Sequence, residues 1–312
     1  MSATASTAQG PARRRRYAGS RAIRRRRAVI GLALIAPALA FVGVFFLAPF
    51  VLMLWMSLHK WPLLGHTSWT GLDNYTAMGS DPVFWRSLGF TAEYTVIITP
   101  ILIVVGFGLA LLVRERRRGV GFFRTVYFMP YVIGFAVASY LWVWFLNPGV
   151  GLFDKTLQAL GITHSPVLWF SSRSLALFAV VLMIVWKVVG FTMLLFMTGL
   201  QGIPDEVQEA AQVDGAGRWG TLWGVTLPLL RRTIALAVIP AVVGSMLALD
   251  QFYIMTNGGP NNQTLTVVYW IYDSSFVNFQ LGYGAAMSVV LTVILVLITG
   301  VQLYLLRDQT ER

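Results

Sequence analysis

The sequence alternates between long apolar runs and short polar connections. Six of these runs are long enough to cross a bilayer as helices, since about 20 consecutive apolar residues span its hydrocarbon core. We therefore expect an all-α membrane protein with six transmembrane helices in one domain, residues 28–312. The six predicted helices cover residues 28–54, 88–113, 122–145, 174–200, 233–253 and 281–306.

The connection between the fourth and fifth predicted helices, residues 201–232, is too polar to cross a membrane. Proline is tolerated in the first turn of a helix, and Pro204 is followed by two acidic residues that complement the positive end of a helix dipole. Gly215 then provides a C-terminal stop. The pattern predicts a short helix over about residues 204–214.

A second short helix is predicted from about residue 217 to residue 227, where Pro228 ends it. In the first helix, Ala210 and Ala211 are small and let a partner surface approach closely. The connection is therefore typical of a docking loop for another protein. The alternative is a pair of interfacial helices that rest on lipid headgroups.

The chain is strongly basic, with a formal net charge of +11, and nine of its arginines fall within residues 13–27. Such a segment is typical of a nucleic-acid-binding arm, of a secretory or twin-arginine signal, or of a disordered cytoplasmic tail. Nothing after it resembles a nucleic-acid-binding module, and the uncharged run that follows, residues 28–58, exceeds the hydrophobic region of a signal. We favour a disordered cytoplasmic tail over residues 1–27 and expect no nucleic-acid partner.

The distribution of basic residues predicts the orientation of the helices. When the N-terminus is placed in the cytoplasm, 19 of the 24 Lys and Arg residues fall in the tail, in cytoplasmic loops and at the C-terminus. Four fall in outer loops, and Lys187 lies within a span. Because cytoplasmic loops carry an excess of Lys and Arg, we expect both termini and the connection 201–232 to be cytoplasmic.

The sequence lacks the features of an enzyme or of a metal site. It has no cysteine, and its three histidines, His59, His66 and His164, have no metal-ligand spacing. No lysine follows a glycine, which excludes the phosphate-binding loop of an ATPase. We expect no catalytic site, no metal site and no cofactor bound by this chain.

Residues 209–228 follow a fixed pattern of Glu-Ala-Ala, three residues, Gly, nine residues, an aliphatic residue, one residue and Leu-Pro. This pattern resembles the EAA loop of ABC importer permeases, with Val225 at the aliphatic position, where Ile is commoner. The resemblance implies that the loop couples the permease to an ATPase. The residues implied in coupling are Glu209, Ala210, Ala211, Asp214, Gly215, Arg218, Leu227 and Pro228.

Within this loop, Glu209 is the expected polar anchor for a basic or donor group on the ATPase. Asp214 is expected to cap the helix or to pair with Arg218, which lies four residues further on. Gly215 provides the bend between the two short helices. Ordinary capping and packing is the alternative role for Glu209 and for Asp214.

Other stretches resemble permeases of the carbohydrate-uptake importers, the group of the maltose and glycerol-3-phosphate systems. These stretches are residues 71–75, 186–191, 200–204 and 252–260. The resemblance covers about residues 41–304 and is to the first-type permease of a heterodimeric pair. Arg232 departs from the pattern, because these proteins often have proline after Leu-Leu-Arg, and this puts the start of helix five in question.

The resemblance implies the type I ABC importer permease fold, with a cytoplasmic coupling helix between helices four and five. It also implies a subunit that moves a sugar or sugar-like solute across the bacterial plasma membrane. The implied partners are a second permease subunit, two ATPase subunits that use ATP and Mg, an extracytoplasmic sugar-binding protein and membrane lipid. The resemblance does not determine whether the solute is an oligosaccharide, another disaccharide, a polyol or glycerol-3-phosphate.

Polar side chains within the spans are candidates for the substrate pathway, because placing a charge at the centre of a bilayer costs at least about 2.5–3.5 kcal/mol. Lys187 lies near the middle of helix four, where it either faces the pathway or pairs with a carboxylate such as Glu93 or Asp250. Asp250 and Gln251, near the outer end of helix five, could hydrogen-bond hydroxyl groups, and Trp186, Tyr253 and Asn257 could add stacking and polar contact. The pathway candidates are Trp186, Lys187, Asp250, Gln251, Tyr253 and Asn257.

Two other classes of membrane protein compete with this interpretation. A secondary carrier or channel usually has repeat symmetry between its halves, and it would leave the polar loop without a purpose. A membrane-embedded enzyme needs a converging acid, base, nucleophile or metal, and the sequence offers none. The importer permease is therefore the preferred interpretation.

Overall fold

The computed structural model describes residues 19–113 and 119–307. The regular secondary structure of this part of the chain is helical, apart from one short hairpin of strands β1 (His59–Lys60) and β2 (Ser68–Trp69). The helices are α1 (Gly19–Val42), α2 (Ala48–Ser57), α3 (Asp73–Ser80), α4 (Pro82–Leu112), α5 (Val120–Val132), α6 (Phe135–Phe145), α7 (Leu152–Ala159), α8 (Arg173–Gln201), α9 (Asp205–Val213), α10 (Arg218–Thr221), α11 (Leu227–Leu229), α12 (Arg231–Met246), α13 (Val267–Tyr272) and α14 (Leu281–Arg307). Short π-helical turns cover Gly43–Leu47, Leu222–Thr226, Phe252–Thr256 and Asp273–Val277.

The chain divides into two units, Met1–Leu52 and Met53–Arg312. None of the described side chains in the first unit is buried, as expected for a helix whose apolar surface meets lipid or another subunit. The helix α1 begins at Gly19, within the predicted tail, whose disorder stays a prediction. Arginine is a good helix former and no proline occurs between residue 19 and Pro37. The first 18 residues lie outside the described part.

Four helices are long and apolar enough to cross a membrane: Arg27–Ser57, Pro82–Leu112, Arg173–Gln201 and Leu281–Leu305. Two pairs of bent helices pass the same test together, α5 with α6 at 101° and α10–α11 with α12 at 68°. The six predicted spans are therefore matched when each bent pair counts as one span. The third predicted helix, 122–145, is not continuous as expected, because Ile133 and Gly134 have extended backbones.

The fifth predicted helix also ends earlier than expected. The helix α12 stops at Met246, whereas the prediction extended it to residue 253. The carbonyl of Ala248 accepts a hydrogen bond of 2.7 Å from the Thr266 hydroxyl. A side chain from the following segment thus replaces the helical donor, which the apolar pattern of this stretch does not reveal. The helix begins at Arg231, so the departure at Arg232 does not prevent its start.

The helix α8 is the centre of the second unit. More than half of its most apolar stretch is buried, against about a quarter for α4 and α14. It packs on α4 through Val180, Met183 and Ile184, which meet Tyr94 and Ile98 in one apolar cluster. Burial of such side chains contributes roughly 1.5–3 kcal/mol each in water, and in lipid the same close packing holds helices together by dispersion.

The helix α3 and the hairpin are joined by side chains of the 71–75 motif. The Asn74 amide donates to the carbonyls of Ser57 and His59 at 2.8 and 3.0 Å, and the Tyr75 hydroxyl donates to the Ser57 hydroxyl at 2.8 Å. These bonds fix α3 against the end of α2. The motif therefore has a structural role at this end of the bundle.

Asp81 joins three elements at the N-terminal end of α4. Its carboxylate accepts from the Val83 amide at 2.8 Å, from the Trp270 indole at 2.9 Å and from the Tyr283 hydroxyl at 2.7 Å. Burial alone would raise the pKa of Asp81, but hydrogen bonds, the largest of them from Tyr283, outweigh it and hold the pKa of this carboxyl below its ordinary value. The ionised form therefore ties α13 and α14 to the start of α4.

Asp81→Asn is expected to lower thermal stability at neutral pH. Because the folded pKa is below the unfolded one, the contribution of Asp81 is complete above about pH 4 and is lost as the pH falls through the folded pKa. Thermal unfolding of the purified protein from pH 3 to pH 7 measures this. The gap between parent and variant should close in acid, and Asp73→Asn, which removes an exposed carboxylate, should produce no comparable gap. A gap that is constant with pH would contradict the assignment.

Candidate functional site

The polar connection folds into two short helical segments, as expected. The helix α9 covers Asp205–Val213, in agreement with the predicted 204–214, and follows an extended Pro204. Asp205 and Glu206 occupy its first turn, where negative charge complements the helix dipole. Because Ile203 is buried and α9 itself is mostly exposed, the helix stands on the end of α8 and presents its surface outwards.

Gly215 ends α9 in the predicted way. Its φ is +84°, a conformation that suits glycine. The Gly215 amide donates to the Gln212 carbonyl at 3.0 Å, and the Ala216 amide donates to the Ala211 carbonyl at 2.9 Å. These are the two bonds of a Schellman motif, which satisfies carbonyls at a helix C-terminus. The predicted pair of Asp214 and Arg218 assumes the four-residue spacing of one continuous helix, and the chain leaves the helix at Gly215. The pair stays a prediction.

The second segment runs further than expected. Helical structure continues from Arg218 through a π-helical turn to Leu229, and the bend falls at Leu230. The prediction that Pro228 ends this helix is wrong. Pro228 directly follows the π-helical turn Leu222–Thr226, and this wider turn accommodates the proline ring and its missing amide hydrogen.

The exposed surface of the loop combines acidic, small and large apolar side chains. Glu209 and Ala210 are exposed on α9. Three apolar side chains are also exposed to an unusual degree: Val213 by 87%, Trp219 by 74% and Trp223 by 67%. Exposed apolar groups of this size mark an interaction surface.

Lys187 is a buried charged group within the bundle, with only 2% of its surface exposed. Its ammonium group donates to the carbonyls of Tyr131, at 3.3 Å, and of Ile133, and it lies 4.4 Å from the centre of the Phe135 ring. These carbonyls belong to the break between α5 and α6. Lys187 therefore satisfies the backbone groups that the break leaves without helical partners.

These carbonyl contacts of Lys187 stand in place of the carboxylate pairing that was one of its two predicted roles, and the other role, facing the pathway, stays a prediction. Glu93 forms an ion pair with Arg173, at the start of α8, and Asp250 is exposed. The sequence pointed to a carboxylate because a buried lysine usually needs a countercharge. The broken helix supplies two carbonyl oxygens and an aromatic face instead.

A cleft of about 210 Å³ opens between α4, α5, α8 and α12. Gln251 lines it, and its side chain hydrogen-bonds to Tyr94. Tyr131 and Phe135, which contact Lys187, line it as well. The cleft is thus mostly apolar and aromatic, with a few polar groups, as is usual for small-molecule sites.

The predicted pathway residues do not all meet at this cleft. Gln251 reaches it directly, and Lys187 supports two of its aromatic walls. Asn257 accepts a hydrogen bond of 2.9 Å from the Tyr269 hydroxyl, and the Tyr253 ring lies 5.2 Å from that of Tyr269. Trp186 packs against Trp142, at 5.8 Å between rings.

Tyr94 and Tyr131 are site residues that the sequence did not single out. The Tyr131 ring stacks on Phe191, with 4.7 Å between centroids and an angle of 8°. Both tyrosines lie in apolar runs, where a hydroxyl does not change the prediction of a span. Phe191, at the end of the 186–191 stretch, was the one sequence signal for the aromatic wall.

Replacing Lys187 with methionine is expected to lower the thermal stability of the protein and its uptake activity. The two carbonyls at the helix break lose their donor, and an unsatisfied buried group costs about 1–3 kcal/mol. Lys187→Arg, which keeps a donor, should retain more of both properties. The exposed Lys60 offers a matched control as Lys60→Met. Equal unfolding temperatures for Lys187→Met and Lys60→Met would refute this role.

Among the described residues, no group of three or more His, Asp or Glu side chains is placed to hold a metal ion. The candidate site consists of a cleft within the bundle and an exposed helix on the loop that follows α8.

Comparison with known proteins places this arrangement in a family. Residues 102–310 match the family model described as "Binding-protein-dependent transport system inner membrane component". The chain is 32% identical to the sulfoquinovosyl glycerol transport system permease protein of Agrobacterium fabrum, with 90% of this chain and 91% of that protein covered. It is 35% identical to the sn-glycerol-3-phosphate transport system permease protein of the same organism, with 88% and 93% covered.

A solved structure shows the same fold. It is the bacterial alginate ABC transporter in complex with an alginate pentasaccharide-bound periplasmic protein, with a TM-score of 0.79, 19% identity, and coverage of 91% of this chain and 96% of that one. The type I importer permease fold expected from the sequence is confirmed. The chain therefore belongs to the family of inner-membrane components of binding-protein-dependent transport systems, as an ABC importer permease rather than an enzyme.

Proposed function

We propose that this permease moves a sugar or sugar-like solute across a bacterial plasma membrane, with energy that a partner ATPase delivers through α9. The exposed position of α9 between α8 and α12 carries the proposal. Its C-terminal turn is fixed by Gly215, and its surface offers the carboxylate of Glu209 beside the small Ala210. This is the surface that an ATPase with a basic or donor group would bind.

The connections of α9 explain how its movement reaches the cleft. Only residues 202–204 separate α9 from α8, and the second segment of the loop leads into α12. Both helices line the cleft, α8 through Ile184 and Val188 and α12 through Pro240 and others. A displacement of α9 therefore acts on two walls of the cleft at once, which is the physical requirement for coupling.

The cleft and the relatives support a carbohydrate or polyol as the solute. The Gln251 amide and the hydroxyls of Tyr94 and Tyr131 provide hydrogen-bonding groups beside aromatic faces. Such a combination suits a molecule that has both hydroxyl groups and an apolar ring face. The relatives' names refer to a sugar glycoside and to sn-glycerol-3-phosphate.

The proposed assembly has a second permease subunit, two ATPase subunits that use ATP and Mg, and an extracytoplasmic sugar-binding protein. The N- and C-termini and the loop 201–232 lie in the cytoplasm in this proposal, as the distribution of basic residues predicts. The solved relative that carries a periplasmic protein supports the extracytoplasmic partner.

Affinity purification of the tagged chain from native membranes tests the assembly. We expect a second permease and an ATPase to co-purify, and a recovered binding protein can then be screened against sugars. A homo-oligomer without an ATPase would refute the proposal and favour a self-sufficient carrier.

A further inference from the structure

The two halves of the loop between α8 and α12 carry opposite charge. Residues 205–214 hold four acidic side chains and no basic one, whereas residues 217–232 hold three arginines and no acidic one. Arg218 and Arg232, near the two ends of the second half, are both exposed. This division indicates that the two halves meet different surroundings.

The basic half also carries two exposed indole rings. Trp219 and Trp223 lie four residues apart, with 74% and 67% of their surfaces exposed. A tryptophan combines a large apolar body with one N–H donor, and this combination is favoured at the depth of lipid headgroups. Arg218, next to Trp219, and the arginines at the start of α12 complement the negative surface potential of anionic phospholipid.

The geometry of the bend sets the depth of this segment. The helix α12 has 16 residues, so its length is about 24 Å, less than the roughly 30 Å of a hydrocarbon core. The segment Arg218–Leu229 meets it at 68°. Its length is about 18 Å, of which only about 7 Å runs along the α12 axis. When α12 crosses the bilayer, the segment therefore lies mainly in the plane of the membrane surface.

We propose that Arg218–Leu229 is an interfacial anchor that binds the headgroup layer of anionic phospholipids, with Trp219 and Trp223 inserted at headgroup depth. This inference goes beyond the proposed function, because it assigns lipid to the second half of the loop. Arg218, Leu227 and Pro228, for which the resemblance implies a role in coupling, would then act by holding the loop at the membrane surface and not by contact with the ATPase. The anchor holds the loop at a fixed depth, while the acidic α9 stays free for a protein partner.

Spin labelling tests the position of the anchor, because the chain has no cysteine and each introduced one is unique. Trp223→Cys places the label on the anchor, and Val213→Cys places a matched label on α9, at a side chain that is 87% exposed. The full-length chain is purified with the partners it retains and reconstituted in vesicles of phosphatidylcholine and phosphatidylglycerol. Collision rates with oxygen, which concentrates in lipid, and with a water-soluble nickel chelate are then measured.

The label at position 223 should collide more often with oxygen than with the chelate, before and after peripheral proteins are removed with a chaotrope. Access of the chelate equal to that at position 213 would overturn the proposal. The label at position 223 could instead be shielded from both reagents until the peripheral proteins are removed. That result would also overturn the proposal and would assign this face of the loop to the ATPase. Trp219→Cys is measured in the same way, so that poor folding of one variant leaves a second result.

A second measurement tests the lipid class. A fluorophore at position 223 should be quenched about twofold more by brominated phosphatidylglycerol than by brominated phosphatidylcholine, and Arg218→Gln should reduce this ratio. Equal quenching by the two lipids would refute the anionic preference. Neither measurement depends on transport or on ATP hydrolysis, so a failure here leaves the proposed function intact.

Discussion

Glu209→Ala is expected to lower ATP-dependent uptake by at least about tenfold, while the protein still inserts into the membrane. A hydrogen bond to a charged group contributes about 1.5–3 kcal/mol, and its loss at the ATPase contact weakens coupling by a corresponding factor. Glu209 is exposed, so its removal should change stability by no more than about 0.5 kcal/mol. Uptake and ATP hydrolysis are measured in vesicles at matched membrane abundance.

Glu206→Ala is the matched control, because it removes an exposed carboxylate from the first turn of the same helix. It should lose much less uptake than Glu209→Ala, and Glu209→Gln should fall between the two. Unchanged uptake in Glu209→Ala would remove this residue from the mechanism. A loss of the same size in Glu206→Ala would mean that the charge of α9 matters and that the position of Glu209 does not.

Gly190→Ala is expected to have a large effect on folding. A Cβ atom at this position would lie 2.6 Å from the carbonyl carbon of Tyr127 and closer still to its oxygen. These are backbone atoms of α5 and cannot rotate away, so α5 must move off α8. Overpacking of this kind costs up to about 3 kcal/mol or more, and we expect a large fall in membrane abundance and in unfolding temperature.

Gly108→Ala provides the control, since it changes a helical glycine of α4 whose Cβ would meet no atom within 4 Å. This variant should accumulate and unfold like the parent, because alanine favours a helix over glycine. If Gly190→Ala also behaves like the parent, then the close packing of α5 on α8 is not what fixes the walls of the cleft.

Local chemistry makes part of the site predictable from the sequence. The end of α9 at Gly215 follows from a glycine that comes after a short helical run, and the Schellman motif needs nothing beyond those few residues. The start of α9 after Pro204 depends likewise on adjacent residues. The position of this exposed helix is therefore encoded within about a dozen consecutive residues, and the sequence pattern predicts it.

Other features depend on contacts between distant segments and could not be predicted in this way. The run 122–145 is apolar apart from Arg124 near its start and a few hydroxyl-bearing side chains, and its pattern does not show that the chain turns by 101° within it. The turn is stable because Lys187, on another helix, supplies the donors for its carbonyls. The end of α12 depends in the same way on Thr266. Hydropathy reports that a segment is apolar and does not report its direction.

Cross-linking from α9 tests the central claim most directly. Ala210→Cys carries a photoreactive label in native membranes, and Leu64→Cys, whose native side chain is 89% exposed in the hairpin loop, carries it as a control. We predict that the label at position 210 forms an adduct with an ATPase subunit, in a yield that changes with ATP, and that the label at position 64 forms none. Adducts from position 210 with lipid alone would contradict the account, because α9 would then rest on the membrane surface.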